Sequence, residues 1–243
     1  MDDFSSLSLP PLNSADFGAD ADALTPAVLR RLQSTALIRI VDDDEAMRTS
    51  YRFMLGLAGW QIALYADAAA FLEEDDPEVP GCLILDVRMP GKSGLELQRE
   101  IAESGIDLPI IFVTGHGDVD MAVFAVKAGA FDFMLKPVDP KRLKRAVALA
   151  VYAVEKKREE AAASHDALAK WHSLSERERQ VVLGVAHGML NKVIASALHI
   201  AERTVKFHRA SACRKLGVKS ASEITAFVLS LPEADRQLDQ LNS

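Results

Sequence analysis

Between residues 35 and 155 the hydrophobic positions fall into five short runs, separated by stretches with helical spacing. Short apolar runs predict strands, and longer stretches with apolar positions three or four apart predict helices. The predicted strands are LIRIV (37–41), QIALY (61–65), CLILD (82–86), PIIFVT (109–114) and DFML (132–135). The predicted helices are Asp44–Leu57, Ala66–Glu74, Gly94–Glu103, Val119–Ala128 and a fifth from about Pro140 onward. This alternation predicts a doubly wound α/β domain, with a five-stranded parallel sheet covered on both faces.

The chain has a different pattern on either side of this α/β domain, which we assign to residues 35–155. Residues 1–34 mix Ser, Pro, Asp and Ala with little periodicity, so they predict a mostly disordered, solvated leader with one short helix near Thr25–Leu32. Residues 156–172 are charged, rich in Ala and free of Gly and Pro, which predicts a helical linker. Residues 173–243 show helical spacing only and form the second predicted domain.

The second domain is predicted to contain four helices. Ser175 and Glu178 form a capping box that begins the first helix, and Gly188 ends it. The remaining predicted helices are Asn191–Leu198, Glu202–Leu216 and Ser222–Leu229, with a tight turn at His199–Ala201. Two helices joined by about three residues are typical of a helix-turn-helix, whose second helix enters the major groove of DNA.

Composition changes this picture through the distribution of charge. The chain has 243 residues with 28 basic and 35 acidic side chains, a net charge of −7 that by itself argues against nucleic acid. Residues 35–155 carry −8 and residues 173–243 carry +3, so the basic part lies in the predicted helix-turn-helix domain. Two distant cysteines and the absence of a long apolar run predict a cytoplasmic protein without a membrane segment.

Polar side chains follow four of the predicted strands. Asp42, Asp43 and Asp44 follow the first strand, and Asp86, Thr114 and Lys136 end the third, fourth and fifth. Carboxyl ends of parallel strands meet at one edge of a sheet, where ligands bind in doubly wound folds. Converging carboxylates suit Mg²⁺, and a lysine with a hydroxyl suits a phosphoryl group, so the pattern predicts phosphoryl chemistry with an aspartate acceptor. Asp44 is also a good helix N-cap.

These residues lie in motifs similar to those of receiver domains of two-component response regulators. The motifs are VDDDEAMR (41–48), LILDVRMPGKSGLEL (83–97) and VTGHGDVDMAVFAVKAGAFDFMLKP (113–137), and TGHGDV resembles the FixJ branch in particular. The resemblance implies a flavodoxin-like strand order 2-1-3-4-5 and makes Asp86 the phosphoacceptor. It also implies Mg²⁺ bound by Asp43 and Asp86, with help from Asp42 through water and from the Arg88 carbonyl, and a cis peptide bond between Lys136 and Pro137.

The same resemblance implies a switch. Lys136 and Thr114 approach the phosphoryl group, and Phe133 is the aromatic residue that rotates inward as Thr114 moves. The alternative for Phe133 is an ordinary core aromatic residue. The surface of residues 119–135 is then expected to form a homodimer, and either dimerisation or release of the C-terminal helices activates the protein.

Residues 173–228 carry nine Lys or Arg and four acidic residues, which favours binding to phosphates. The segments LSERERQV (174–181), NKVIASAL (191–198) and ERTVKFHRASACRKLGV (202–218) resemble the LuxR-type, or FixJ/NarL, four-helix DNA-binding domain. Candidates for reading bases are Lys206, Phe207 and Ala210. Candidates for backbone contact are Lys192, Arg203, Thr204, His208, Arg209 and Arg214. A small residue at Ala210 leaves direct readout there open.

The sequence therefore predicts a phosphorylation-dependent transcription regulator. Its expected partners are a sensor histidine kinase, promoter DNA, RNA polymerase and a second copy of the chain, and its only expected catalysis is its own phosphorylation and dephosphorylation. One alternative is a phosphatase of the haloacid dehalogenase type, which carries D-x-D-x-T, whereas Val87 and Arg88 follow Asp86 here. Another is a receiver whose helical domain binds protein instead of DNA.

Overall fold

The structure is a computed structural model that describes residues 23–115 and 119–236. Residues 1–22, 116–118 and 237–243 lie outside this description, and they include most of the predicted leader and the end of the second domain. The chain divides into two compact units, Met1–Lys157 and Arg158–Ser243. None of the helices in the described ranges has the length and apolar character needed to cross a membrane.

The first unit is built on the predicted parallel sheet. Its strands are β1 (Leu37–Val41), β2 (Gln61–Tyr65), β3 (Gly81–Leu85), β4 (Ile110–Thr114) and β5 (Asp132–Leu135). Their order is β2-β1-β3-β4-β5, and every pair is parallel. In the register, Val41 at the end of β1 pairs with Leu85 of β3, and Thr114 at the end of β4 pairs with Leu135 of β5. The predicted fold and strand order are confirmed.

Among the described residues, the two faces of this sheet are covered by α1 (Pro26–Thr35), α2 (Glu45–Gly56), α3 (Ala68–Glu74), α4 (Gly94–Glu103), α5 (Val119–Lys127) and the first part of α6 (Pro140–His172). Buried residues of α1, α2 and α6 form one core with Ile38 and Ile40 of β1. Buried residues of α3, α4 and α5 form the other core with Val41 and Phe112. Alternate residues of the same strand therefore face different helical layers, as a doubly wound sheet requires.

Helix α1 lies at the end of the segment that is predicted to be a mostly disordered leader. The short helix predicted near Thr25–Leu32 is present, with a side-chain cap from Thr25, and Leu32 is 1% exposed in the core that also contains Trp60. Gln33 Nε2 donates to the carbonyl of Ala58 at 2.6 Å, and Gln61 Nε2 donates to the carbonyl of Ser34 at 3.1 Å. Residues 26–34 are thus part of the folded first unit.

The second unit contains the predicted four helices, α7 (Glu176–Ala186), α8 (Asn191–Ala197), α9 (Glu202–Leu216) and α10 (Ala221–Ser230), followed by a 3₁₀ turn at Glu233–Arg236. The capping box of Ser175 and Glu178 is present, and Gly217 ends α9 with a φ of 75° that favours glycine. Trp171, placed in the linker by sequence, is buried in the core of this unit with Val181 and Leu216. The packed unit therefore begins before residue 173.

Candidate functional site

Three carboxylates converge at the carboxyl edge of the sheet. Asp42 and Asp43 directly follow β1, and Asp86 directly follows the neighbouring strand β3. Each offers a carboxylate oxygen within 4.8 Å of the other two. Asp42 and Asp86 are buried while Asp43 is exposed, so the cluster opens to solvent on one side. The parallel register brings together residues that are more than forty positions apart in the chain.

Lys136 supplies the positive charge opposite these carboxylates. Its Nζ donates to Asp42 Oδ2 at 2.6 Å and to Asp86 Oδ2 at 2.8 Å. Burial would lower the pKa of Lys136, but the hydrogen bonds and charges of Asp42 and Asp86 outweigh it and raise that pKa. The pKa of Asp42 is raised, because burial outweighs the opposing contacts with Lys136 and the Asp44 backbone. The ammonium group thus offsets the repulsion between two close carboxylates.

The donor set fits a hard divalent cation. Its candidate ligands are carboxylate oxygens, which Mg²⁺ prefers, and the residue Asp43 is exposed to solvent. The Arg88 backbone N–H donates to Asp86 Oδ1 at 3.1 Å, so the Arg88 peptide segment lies beside the cluster. The Arg88 carbonyl remains a predicted ligand. Asp42, Asp43 and Asp86 are the residues that would hold the ion.

Local contacts hold the two loops that carry the cluster. Asp44 caps α2 by accepting from Ala46 N at 2.8 Å, as its N-cap pattern predicts, and its own N–H donates to Asp42 Oδ1 at 3.0 Å. Sequence reasoning missed Arg48, whose Nη1 donates to the Asp42 carbonyl at 2.6 Å. It also assigned no role to Gly94, where an added Cβ would lie 2.2 Å from the Asp86 carbonyl oxygen. The glycine in the motif that follows Asp86 was the available signal.

Thr114 and Phe133 lie on the strands next to the cluster. Thr114 is fully buried at the end of β4, and its carbonyl accepts the backbone N–H of Lys136 at 2.9 Å. The Lys136–Pro137 peptide bond is cis, as the resemblance implied. Phe133 is buried with its ring centroid 6.1 Å from that of Phe112, so its side chain points inward in this structure. Its switch role stays a prediction.

Helix α9 presents a separate polar surface in the second unit. Val205, Ala212 and Leu216 are buried on one side of the helix. The opposite side exposes Arg203, Lys206, Phe207, Ala210 and Arg214, and Lys192 is exposed on α8. Thr204, His208 and Arg209 are only partly exposed and lie between these two sides. The predicted DNA contacts therefore divide into an exposed stripe and a flanking, half-buried set.

The exposed stripe is basic but weakly paired. Lys206 Nζ lies 3.4 Å from Glu202 Oε1, and both side chains are largely exposed. Such surface pairs contribute little and can exchange for a phosphate oxygen. The Phe207 ring is 67% exposed, which places a large apolar group on the same surface as the cations. This combination can contact both phosphates and the apolar methyl group of thymine.

An ion pair between the buried Glu178 and the exposed Lys215 joins α7 to α9. Lys215 Nζ donates to Glu178 Oε2 at 2.7 Å, and the Glu178 residue is only 4% exposed. Burial would raise the pKa of Glu178, but hydrogen bonds from Lys215, the Ser175 backbone and Ser211 outweigh it and lower that pKa to about 2. The capping box therefore also orients the helix that carries the basic stripe.

Glu178→Gln is expected to destabilise the second unit by about 1–3 kcal/mol at neutral pH, because Lys215 and the α7 N-terminus lose a charged acceptor. The folded pKa of about 2 lies below the ordinary 4.5, so this stabilisation is complete above pH 4.5 and disappears as the pH falls towards 2. Trp171 fluorescence during urea unfolding, in a Trp60→Phe background, measures the difference. Glu176→Gln, an exposed neighbour in the same helical turn, should have little effect. An equal loss for both variants would contradict the proposed pair.

Comparison with known protein families gives two matches in the order of the two units. Residues 38–148 match the family described as response regulator receiver domain. Residues 172–228 match the family described as bacterial regulatory proteins, luxR family. The strand-end cluster lies within the first match, and the basic stripe of α9 lies within the second.

Several individual proteins are similar to this chain over most of its length. The response regulator protein TmoT of Ectopseudomonas mendocina is 42% identical over 189 residues, covering 78% of this chain and 86% of its own. The transcriptional regulatory protein FixJ of Bradyrhizobium diazoefficiens is 40% identical over 192 residues, covering 79% of this chain and 94% of its own. Among solved structures, the response regulator StyR superposes with a TM-score of 0.72 at 38% identity, covering 80% of this chain and 98% of its own.

Proposed function

Because the chain belongs to the response regulators that join a receiver domain to a LuxR-type DNA-binding domain, we propose that a sensor histidine kinase phosphorylates it on Asp86 and that the phosphorylated dimer binds promoter DNA. The observation that carries this proposal is the contact of Lys136 Nζ with both Asp42 and Asp86, beside Asp43. A nucleophilic carboxylate, a cation for phosphoryl oxygens and a carboxylate set for Mg²⁺ lie within one small site.

In the proposed reaction, a carboxylate oxygen of Asp86 attacks the phosphorus of a phosphohistidine on the kinase. The new P–O bond forms as the P–N bond breaks, and the imidazole leaves. Lys136 exchanges its carboxylate partners for phosphoryl oxygens, to which its ammonium group donates. Asp42, Asp43 and Asp86 would hold Mg²⁺, which would supply positive charge for the oxygens of the transferring group.

The switch follows from the charge added to Asp86. The phosphoryl oxygens attract Lys136 and accept a hydrogen bond from the Thr114 hydroxyl, which draws the end of β4 towards Asp86. Phe133 lies on the adjacent strand β5 and packs against Phe112 of β4. Movement of β4 is thereby coupled to the surface formed by α5 and β5.

The remaining parts of the proposal follow from this role. The receiver catalyses only its own phosphorylation and dephosphorylation, so hydrolysis of a generic phosphomonoester is not expected. The protein acts in the cytoplasm, where promoter DNA, the kinase domain and RNA polymerase are available to it. A dimer is proposed because one small helix-turn-helix unit contacts one half-site, and a pair contacts two half-sites about one helical turn apart.

Footprinting on genomic fragments tests the whole proposal. The full chain is compared before and after incubation with Mg²⁺ and acetyl phosphate, and protected half-sites are expected at much lower protein concentration after incubation. Equal protection in both states would refute the switch while leaving DNA binding intact. Protection in neither state would refute DNA binding and favour a protein partner for the second unit.

Phe124→Asp is expected to weaken phosphorylation-dependent dimerisation at least about tenfold, because it places a charge in an apolar interface. Val123, Phe124 and Leu135 form an exposed apolar surface on α5 and β5. Sedimentation velocity with and without acetyl phosphate measures the monomer–dimer equilibrium. Phe53→Asp is the matched control, since Phe53 on α2 is 68% exposed and Phe124 is 48% exposed. Dimers of unchanged stability in Phe124→Asp would exclude this surface as the interface.

Lys206→Ala and Arg214→Ala are expected to weaken DNA binding in different ways. Loss of a base contact at Lys206 costs about 1–3 kcal/mol and relaxes the preference at one position of the site. Loss of a phosphate contact at Arg214 weakens binding to all DNA sequences alike, and it reduces the slope of log affinity against log salt concentration by about 1. Fluorescence anisotropy over a salt series, on sites selected from random DNA, separates these outcomes. Lys219→Ala, beyond the end of α9, is the control. If it weakened DNA binding as much as Lys206→Ala, the exposed stripe of α9 would not be the DNA-binding surface.

A further inference from the structure

Tyr51 carries a buried hydroxyl that the proposed reaction does not use. The residue lies on α2 and packs in the core with Ile40 of β1 and Met134 of β5. Its Oη is buried and has no hydrogen-bond partner among residues 23–115 and 119–236. A buried hydroxyl without a partner costs free energy, and phenylalanine would fill the same space without that cost. The expected partner is therefore a group that becomes available in another state of the protein.

The Tyr51 hydroxyl lies beside the carboxylate cluster. Tyr51 follows Arg48 by about one helical turn, and Arg48 Nη1 reaches the Asp42 carbonyl. Side chains on a helix point back towards its N-terminus, which in α2 is the Asp44 cap. Burial raises the pKa of Tyr51 to about 12, while the charge of Lys136 opposes this shift and the charge of Asp42 adds to it. The hydroxyl thus keeps its proton at neutral pH and can donate it to an acceptor of the cluster.

Asp42 holds the acceptor that such a donor needs. Its carboxylate is buried, with Oδ1 accepting from the Asp44 N–H at 3.0 Å and Oδ2 accepting from Lys136 Nζ at 2.6 Å. In the proposed reaction Lys136 turns to the phosphoryl oxygens, so Oδ2 loses its donor where burial makes that loss costly. A donor without an acceptor and an acceptor that loses its donor therefore lie in the same place.

We propose that Tyr51 is a positioning residue of the phosphoryl site, whose hydroxyl donates to Asp42 Oδ2 once Lys136 has left that oxygen. The hydrogen bond is absent at rest and present in the phosphorylated state, so it stabilises the second state relative to the first. It also holds the Asp42 carboxylate while the charge of Lys136 moves away. This inference rests on the proposed function, because the phosphoryl group is what draws Lys136 from Asp42.

Tyr51→Phe removes only the hydroxyl, and the beryllium trifluoride anion with Mg²⁺ serves as a reversible mimic of the phosphoryl group. Isothermal titration calorimetry is expected to show about tenfold weaker binding of this mimic, the worth of one hydrogen bond to a charged acceptor. Tyr152→Phe is the matched control, since Tyr152 is partly buried against the same core, and it should bind the mimic like the native chain. Without the mimic, Tyr51→Phe should unfold in urea at the same or a higher concentration than the native chain.

An NMR signal tests the hydrogen bond independently of phosphorylation. In the full chain labelled with ¹³C at Cζ of its three tyrosines, Tyr51→Phe identifies the Tyr51 signal by its absence. Lys136→Met removes the donor to Asp42 Oδ2 without any phosphoryl group. The Tyr51 signal should therefore shift in this variant, in the same direction as when the mimic binds the native chain.

The inference is overturned if the Tyr51 signal does not shift in this way, or if Tyr51→Phe and the native chain bind the mimic equally. A resting chain that Tyr51→Phe destabilises would also overturn it, because the hydroxyl would then have a partner at rest. Failure of the native chain to bind the mimic would refute the proposed function instead, and the signal in Lys136→Met would then decide the hydrogen bond by itself.

Discussion

Asp86→Asn is expected to reduce phosphoryl uptake to background, because the amide lacks the nucleophilic carboxylate oxygen that forms the acyl phosphate. Asparagine keeps the size of the side chain and an acceptor for the Arg88 N–H. It also removes one of three neighbouring negative charges, and Lys136 retains its contact with Asp42 at 2.6 Å. The loss should therefore be chemical and not a consequence of unfolding.

Intact-mass spectrometry after incubation with Mg²⁺ and acetyl phosphate measures this loss as the absence of one added phosphoryl group. Asp67→Asn is the matched control, because Asp67 caps α3 through Ala70 N and asparagine caps a helix equally well. The control should be modified like the native chain. Uptake by Asp86→Asn at the native rate would show that another residue accepts the phosphoryl group, and would remove the basis of the proposed switch.

Asp75→Ala is expected to destabilise the first unit by about 3–5 kcal/mol, because it leaves a buried guanidinium without its charge partner. Arg39 in β1 is 0% exposed, and its Nε donates to Asp75 Oδ1 at 2.8 Å. Its other nitrogens donate to the carbonyls of Leu37, Asp76 and Val79. The arginine therefore connects β1, the strand before the Asp42 loop, to the segment before β3, the strand that Asp86 follows.

Two further variants distinguish a lost ion pair from general damage to the core. Tyr65→Phe removes only the hydroxyl that donates to Asp75 Oδ1 at 2.7 Å, and should cost about 1 kcal/mol. Arg39→Met combined with Asp75→Leu should recover part of the loss, since apolar residues often replace a buried pair at little cost. Urea unfolding followed by Trp60 fluorescence, in a Trp171→Phe background, measures all three. A double variant as unstable as Asp75→Ala would mean that packing, and not unpaired charge, dominates the effect.

The limits of the strands and helices could be predicted closely from the sequence. The predicted and observed limits of β1, β2 and β5 are identical, and those of β3 and β4 differ by one residue. The ends of a strand or helix depend on residues that are close in the chain. These residues set the spacing of apolar side chains and supply the caps. Asp44 at the start of α2 and the pair Ser175 and Glu178 at the start of α7 cap as their spacing indicates.

The carboxylate cluster could also be predicted, for a different reason. Once the strands are parallel, their carboxyl ends must meet, so Asp42, Asp86 and Lys136 converge although Lys136 lies 94 positions from Asp42. The hydrogen-bond partners of buried polar side chains depend on detailed packing, so they could not be predicted from strand topology. Arg39 resembled an interruption in an apolar strand, and Gln98 an ordinary polar position on a helix.

The sequence by itself determined the two folds, their order and the edge of the sheet at which the carboxylate cluster lies, because periodicity, caps and parallel pairing are local or topological properties. Only the tertiary structure decided that Leu32 of α1 and Trp171 are buried, that Asp75 neutralises Arg39, and that Gln98 donates to two carbonyls at the end of α5. These features depend on which side chains meet across the packed layers. The free energy of a buried charge or amide is set by partners distant in the chain, which no local pattern encodes.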